Sequence, residues 1–512
     1  MDKFVPLLVI IPLAASFLIA MFGKQVKGFG KSLSVAGYLI LSIISYWYMV
    51  AGNHDPILYK VGGWEAVNRI PVGIYMLLDP FSGFMLCIIN TIAFLSSTYS
   101  VNYMTRYTGE NYFYTLLGIM VAGLNGVVLA GDLFNLYVFL EITVIASYAL
   151  VAFGTEKEEL EASFKYQVLG GIATTLILFS IGMIYWYAKT LNMMDITRIL
   201  RESNGNKLVQ FCQLVLIAGF GLKAAIMPFH GWLPDAHSSA PSPISAMLSG
   251  VVIKAAGLYV IFRLFFNMFN LDYEISILIT AIGTLSMVVG VFLAIGQWDL
   301  KRLLAYHSIS QMGYVIIGVG MGMIILSKNG NVTVASLAIT GGLFHLVNHA
   351  VFKGLLFLNA GAIEFRLGTR DLHKMGGLAE KMPLTATTSL SASMAISGIP
   401  PFNGFFSKLI IIVAAVQGKF YALAALAVLV SIITLASFMK FQRYAFFNGR
   451  ISMVRQAIRE VPLFMGFSMV VMALLCLGLS LLLIPALRDA FLQPAVDILM
   501  GKNAYFVNLL NL

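Results

Sequence analysis

Apolar runs of about 20 residues recur along this chain with short polar stretches between them, and each is long enough as a helix to cross a hydrocarbon core of about 30 Å. The pattern predicts about fourteen spans, at 4–22, 32–51, 76–99, 112–130, 133–153, 164–188, 208–228, 242–266, 274–296, 303–326, 333–360, 385–415, 419–441 and 461–485. What remains between them leaves no room for a soluble domain. No small-residue cleavage site follows the first run, so it reads as a retained span and not as a signal peptide. The expected fold is an all-α polytopic membrane protein.

Composition agrees. The 512 residues are 59% hydrophobic and 11% charged, with a mean hydropathy of +0.87, against roughly 25% charge in soluble domains. The net charge of +10 does not point to nucleic acid, because the basic residues fall in short loops, where they set orientation. Odd-numbered loops hold Lys24, Lys27, Lys31, Arg106, Lys157, Lys165, Lys301, Arg302, Arg366, Arg370, Lys374, Lys381, Lys440, Arg443, Arg450, Arg455 and Arg459. That bias places those loops in the cytoplasm and both termini outside the cell (inner) membrane, although Lys189, Arg198, Arg201 and Lys207 pull the other way. Trp47, Trp186, Trp232 and Trp298 fall at span ends, where indoles sit in the membrane interface. Cys87, Cys212 and Cys476 are isolated in apolar segments, so the sequence offers no disulfide framework, metal site or iron–sulfur ligation. No cofactor is expected in this chain.

Five ionisable groups fall inside spans: Glu141, Lys223, Lys254, Lys353 and Lys408. Each costs about 2.5–3.5 kcal/mol at the bilayer centre on insertion scales, so the set calls for a function. Glu141 follows Asp132 by nine residues, which places its carboxylate roughly 13–14 Å into the membrane. A buried lysine loses proton affinity by desolvation and regains it beside an anion, so a Glu141–Lys223 pair would act as a switchable proton binder. The alternative is an ion pair that only fixes helix packing.

Two spans are interrupted. In "GFGLKAAIMPFHGW", Pro228 removes a backbone hydrogen bond just after Lys223, with His230 beyond it. In "SGIPPFNGFFSK", Gly398, Pro400 and Pro401 precede Lys408. Irregular backbone is tolerated at membrane depth where it lines a wet cavity, and breaks at corresponding places in two halves point to a transporter built from inverted repeats. The expected organisation is helices 1–3 over 1–111, a first repeat over 112–266, a second over 274–441, and a last helix with a short tail over 442–512.

His345, His349 and Lys353 recur every four residues and share one helix face. A metal reading lacks a third ligand and the glutamate of a zinc hydrolase, which leaves packed histidines or a proton relay. His307, Ser308, Ser310 and Gln311 add polar groups to a neighbouring span.

At this point the motifs "GDLFNLYVFLE", "GFGLKAAIMPFHGWLPDAHSSAPSPISAMLSGVVIKAAGLY", "LKRLLAYHSISQMGY", "LFHLVNHAVFKGLLFL" and "SGIPPFNGFFSK" can be taken together. With them the chain resembles the antiporter-like membrane subunits of complex I, of Mrp-type cation/proton antiporters and of membrane-bound hydrogenases, most of all the D-type subunit of the Mrp antiporters. The resemblance implies fourteen helices, an inverted five-helix repeat and a mid-membrane proton path. It places Glu141, Lys223, Lys254, His345, His349, Lys353 and Lys408 on that path, with His230, His307 and Gln311 as relay candidates.

The expected function is proton translocation within a larger, redox-driven ion pump, its partners being other membrane subunits and iron–sulfur hydrophilic subunits. The alternative is a subunit of a sodium/proton antiporter in which sodium is handled by a partner subunit. A non-conducting scaffold is the third reading. An enzyme with its own quinone or hydrolytic site finds no supporting set of residues.

Overall fold

The computed structural model describes residues 2–51, 54–64, 73–201, 206–447 and 458–509; Arg450 and Arg455 lie outside them. Among the described residues, twelve helices are long and apolar enough to cross a membrane, and Leu7–Phe22 and Asn403–Gln417 are shorter apolar helices. In chain order the helices are α1 (Leu7–Phe22), α2 (Phe29–Ala51), α3 (Pro80–Tyr103), α4 (Glu110–Leu129), α5 (Leu133–Val151), α6 (Lys157–Ala188), α7 (Met193–Arg201) and α8 (Lys207–Ala224). The short α9 (Leu233–Ser239) leads into α10 (Ser242–Met268), α11 (Tyr273–Ile295), α12 (Leu300–Ser327), α13 (Val332–Leu367), α14 (Pro383–Ser397) and α15 (Asn403–Gln417). The series ends with α16 (Tyr421–Phe447), α17 (Leu463–Leu483), α18 (Gln493–Met500) and α19 (Lys502–Leu509).

The fold departs from all-α at one place. The apolar run that begins at 76 opens as a strand, β2 (Tyr75–Leu78), which pairs antiparallel with β1 (Ile57–Lys60). Helix α3 starts only at Pro80, where the Asp79 carboxylate accepts from the Ser82 amide at 2.8 Å and the Ser82 hydroxyl closes a capping box. Proline at the first helical position, where no amide is needed, reinforces that start.

Helices α10, α12 and α13 form the interior. The apolar window of α10 is 100% buried and those of α12 and α13 are each 89% buried, whereas α6, α16 and α17 carry large exposed apolar side chains, as lipid-facing helices do. A helix hydrophobic all round and enclosed by others is an interior element, so the lysines and histidines of α10 and α13 are set far from both lipid and bulk water.

Trp232 is a correction to the interfacial reading. It is 2% exposed, lies 4.1 Å from Tyr166 in a stacked pair and donates its indole N–H to Leu222 O at 2.8 Å. The break in the span turned this residue inward. Trp47, Trp186 and Trp298 are exposed.

Candidate functional site

The first break places Lys223. Helix α8 stops at Ala224, Ala225 takes the left-handed conformation (φ 51°), and the backbone groups freed there find other partners: the Met227 amide donates to Ser286 Oγ at 2.9 Å and Trp232 serves Leu222 O. Lys223, in the last turn where the helix dipole favours a cation, donates from Nζ to Gly170 O of α6 at 3.0 Å. No ion pair joins it to Glu141 among the described residues, so the expected direct pair is replaced by a lysine–carbonyl contact. Glu141 nevertheless acts on Lys223 electrostatically. Its Oε1 has no hydrogen-bond partner among the described residues, and it shares a face of α5 with the exposed Phe134, Val138 and Ile145.

The second break repeats the device with the lysine on its other side. Helix α14 ends at Ser397 and Gly398 takes φ 78°, a conformation that favours glycine. Lys408, from α15, donates to Ile396 O at 2.7 Å and to Ser431 Oγ at 3.2 Å, while Ser431 donates to Ser397 O at 3.0 Å. The lysine and Ser431 therefore satisfy the Ile396 and Ser397 carbonyls that the broken helix leaves open. Gly404 is required by close approach, since a Cβ there would lie 1.8 Å from Ala395 O.

Between the breaks lies a fully buried group. Lys254 donates to Ser249 O, whose hydroxyl is 2.8 Å from Ser308 Oγ, and Lys353 donates to Leu304 O of α12. His345 Nδ1 is 2.9 Å from Ser407 Oγ and His307 Nε2 is 2.7 Å from Ser437 Oγ. The His345 and His349 rings stack with centroids 6.5 Å apart, and Tyr314 bridges towards Lys408, its ring 5.4 Å from His345 and 4.9 Å from the lysine Nζ. His349 feels the charges of Lys254 and Lys353. Both its ring nitrogens, both amide atoms of Gln311, His307 Nδ1 and His345 Nε2 have no hydrogen-bond partner among the described residues. The structure thus brings Lys254, His345, His349, Lys353 and Lys408 into one interior series, with His307 and Gln311 beside it. No hydrogen bond or ion pair joins His230 to a buried lysine among the described residues.

Sequence reasoning passed over His237, which follows His230 by seven residues in the same broken segment. It is 0% exposed, both its ring nitrogens lack hydrogen-bond partners among the described residues, and it interacts electrostatically with Lys353 and Lys254. The cue was its position: a second histidine in a short polar stretch between two spans. Asp235 nearby accepts from Lys165 at 3.0 Å and Arg302 at 2.6 Å, tying α9 to α6 and α12. Burial pulls its carboxyl up, yet the two cations outweigh burial and hold it below the usual carboxylate range. Beside this tie a cavity of about 670 Å³ opens at the loop face, lined by Glu156, Glu158, Glu159, Ser239, Lys301 and Arg370 among others. Lys301, 2% exposed, closes its floor through an ion pair with Glu364 at 2.8 Å. Among the described residues no group of three or more His, Cys, Asp or Glu is arranged to hold a metal ion.

Residues 130–434 match the family model described as NADH:quinone oxidoreductase/Mrp antiporter, TM, and 64–114 match that of NADH-ubiquinone oxidoreductase (complex I), chain 5 N-terminus. The chain is 33% identical over 455 residues, 88% of each chain, to the D-type subunit of the Na(+)/H(+) antiporter of Alkalihalophilus pseudofirmus. Among solved structures, a chain of the Mrp complex from Dietzia sp. DQ12-45-1b superposes with a TM-score of 0.87 at 25% identity, covering 99% of both chains. A chain of the membrane-bound sulfane sulfur reductase, an archaeal respiratory membrane complex, does so with a TM-score of 0.87 at 28% identity, again over 99% of both chains.

Proposed function

Because this chain belongs to the NADH:quinone oxidoreductase/Mrp antiporter family of membrane subunits, we propose that it is a proton-translocating subunit of a larger, redox-driven ion pump. One observation carries the reading: the buried series Lys254, His349, His345, Lys353 and Lys408, in which polar atoms without hydrogen-bond partners among the described residues lie among lysines hydrogen-bonded to hydroxyls and carbonyls. Buried polar groups are satisfied by protein or by ordered water, so such a series fits a hydrated proton path. Glu141 tunes Lys223 through its field, and Lys408 is the terminal proton donor. His230, His307 and Gln311 are relay positions beside the path.

The organisation proposed with it is fourteen crossings, with 112–266 and 274–441 as inverted repeats, each containing one break with its lysine. Partners are required on two grounds. The chain supplies no readable redox centre, and a mid-span carboxylate on the outward face of α5 is costly against lipid, which favours a neighbouring membrane subunit seated over Glu141. The likeness to a chain of the membrane-bound sulfane sulfur reductase, a respiratory membrane complex, supports membership of a redox-driven assembly, with iron–sulfur subunits as the proposed partners.

The second reading, a subunit of a sodium/proton antiporter, is favoured by the 33% identity to the D-type antiporter subunit. Gentle extraction of the native complex, with identification of every co-purifying chain and of bound iron, separates the two. Stoichiometric iron–sulfur chains support the redox-driven pump; small membrane subunits without iron support the antiporter. The proton path itself is tested by Lys223→Ala in the reconstituted complex, which is expected to lower proton flux about tenfold or more with assembly intact. Unchanged flux in an assembled complex sinks the pathway, and equal loss of assembly and flux favours a scaffold. Glu141→Gln is expected to weaken coupling without loss of fold.

A further inference from the structure

Helices α12, α13, α15 and α16 meet around two members of the buried series, His345 and Lys408. The histidine is held by the residue before the lysine: Ser407 donates to Gly404 O at 3.2 Å, which leaves its oxygen to accept from His345 Nδ1 at 2.9 Å. A hydrogen on Nδ1 fixes the tautomer, so the lone pair that can take a proton is on Nε2, which has no hydrogen-bond partner among the described residues. Lys408 is held separately, by Ile396 O and Ser431 Oγ. No hydrogen bond joins the two side chains among the described residues, although His345 feels the charge of Lys408.

One ring stands against both groups. Tyr314, from α12, is fully buried, and its ring centroid lies 5.4 Å from that of His345 and 4.9 Å from Lys408 Nζ. Its hydroxyl donates to Ala427 O of α16, so the ring is fixed at its far end as well as at its backbone. An aromatic face attracts an ammonium through its quadrupole, most strongly where water is excluded, and it has no such attraction for a neutral amine. The hold of this ring on Lys408 therefore depends on whether the lysine carries its proton. The ring carbons relay no proton themselves, so a transfer from His345 to Lys408 needs the ring to move aside.

We propose that Tyr314 is a gate between His345 and Lys408, held shut by the charge of the lysine itself. The inference rests on the proton-translocating reading above, in which Lys408 is the terminal donor. While Lys408 is an ammonium, the ring stays on it and the histidine cannot reach it. When the ammonium releases its proton to water on the exit side, the amine left behind loses the cation–π attraction and the ring is free to swing, at the cost of one hydrogen bond to Ala427 O. A proton on His345 Nε2 then passes to the amine, which restores the ammonium and leaves a neutral imidazole, and the ring closes again. Loading of Lys408 thus follows its unloading. A proton returning from the exit side recharges the lysine and shuts the ring before it can reach His345.

The test varies the attraction of the ring while keeping its size. In the complete reconstituted complex, Tyr314→Phe is the reference, and phenylalanines carrying one, two and three ring fluorines are incorporated at the same position, each fluorine drawing electron density from the face. The passive proton leak of the undriven complex is expected to rise stepwise, about tenfold from none to three fluorines, while the protons moved per turnover fall. A leak that stays level across the assembled series overturns the gate, since a side chain that only fills space is indifferent to fluorination. Tyr314→Leu, which removes the ring, is the second variant: a leak at least as high as that of the trifluoro form supports the proposal, and one no higher than that of the unaltered complex counts against it. Where the leucine form does not assemble, the fluorinated series decides alone. An unaltered complex that moves no protons at all removes the underlying reading instead.

Discussion

At the scale of single residues, the buried lysines share one solution to an unfavourable placement: each donates to a backbone carbonyl, and for Lys408 that carbonyl is one left open at the end of α14. Such a contact holds an ammonium without neutralising it, unlike an ion pair, so the group remains responsive to a distant carboxylate such as Glu141. Asp235 shows the opposite arrangement, a carboxylate between two cations. Because its folded value is depressed, its stabilisation is present above the ordinary carboxylate pKa of about 3.9 and is lost as pH falls through the lower folded value. Asp235→Asn is therefore expected to cost roughly 1 kcal/mol at neutral pH, with the difference from the unaltered protein shrinking in thermal scans at acid pH. Glu141 and the four mid-span lysines were legible in the sequence because burial cost singles them out, whereas the buried Asp79, Arg263 and Lys301 lie close to span ends and were not singled out. His237 was not, since a neutral histidine carries no such penalty, and neither was the contact geometry of Lys223, which depends on where α6 presents Gly170 O.

At the scale of elements, breaks and widened turns shape the interior. Their positions were legible from proline and glycine, and hydropathy placed the spans but not their limits, since the helix expected at 164–188 starts at Lys157 and the one expected at 333–360 runs on to Leu367. What the pattern could not reveal is the π-helical course of α10 over 248–252, 254–259 and 264–268, because hydrogen-bond register leaves no trace in composition, or the strand that replaces the start of the third span. Tyr75–Leu78 is as apolar as a helix start, and only the Asp79–Pro80 signal marks where the helix begins. The second break depends on Gly404 for its close approach to Ala395 O. Gly404→Ala is expected to destabilise the protein by about 1–3 kcal/mol through overpacking. Because the displaced stretch of backbone carries the Ile396 carbonyl that accepts from Lys408, proton flux should fall alongside the unfolding temperature, measured on the same preparation.

At the scale of the whole molecule, Asp79, Arg263 and Tyr505 tie together the beginning of α3, the end of α10 and the C-terminal helices. Removing one partner of a buried pair leaves the other uncompensated, at about 3–5 kcal/mol. Asp79→Asn should show that loss in denaturation, and adding Arg263→Gln should cost less than the two single changes summed, a coupling that a double-mutant cycle reads directly. The enclosure of α10 also has a consequence in time. This helix leaves the ribosome midway through synthesis, yet the walls around it include α13 and the terminal α18 and α19, which emerge later. Until they arrive, the Lys254 and Arg263 side chains must wait in the insertion machinery or against lipid, so the nascent chain is dependent on a temporary shelter for its middle. Biogenesis, and not the finished fold alone, thus sets a limit on how many charges such a helix can carry.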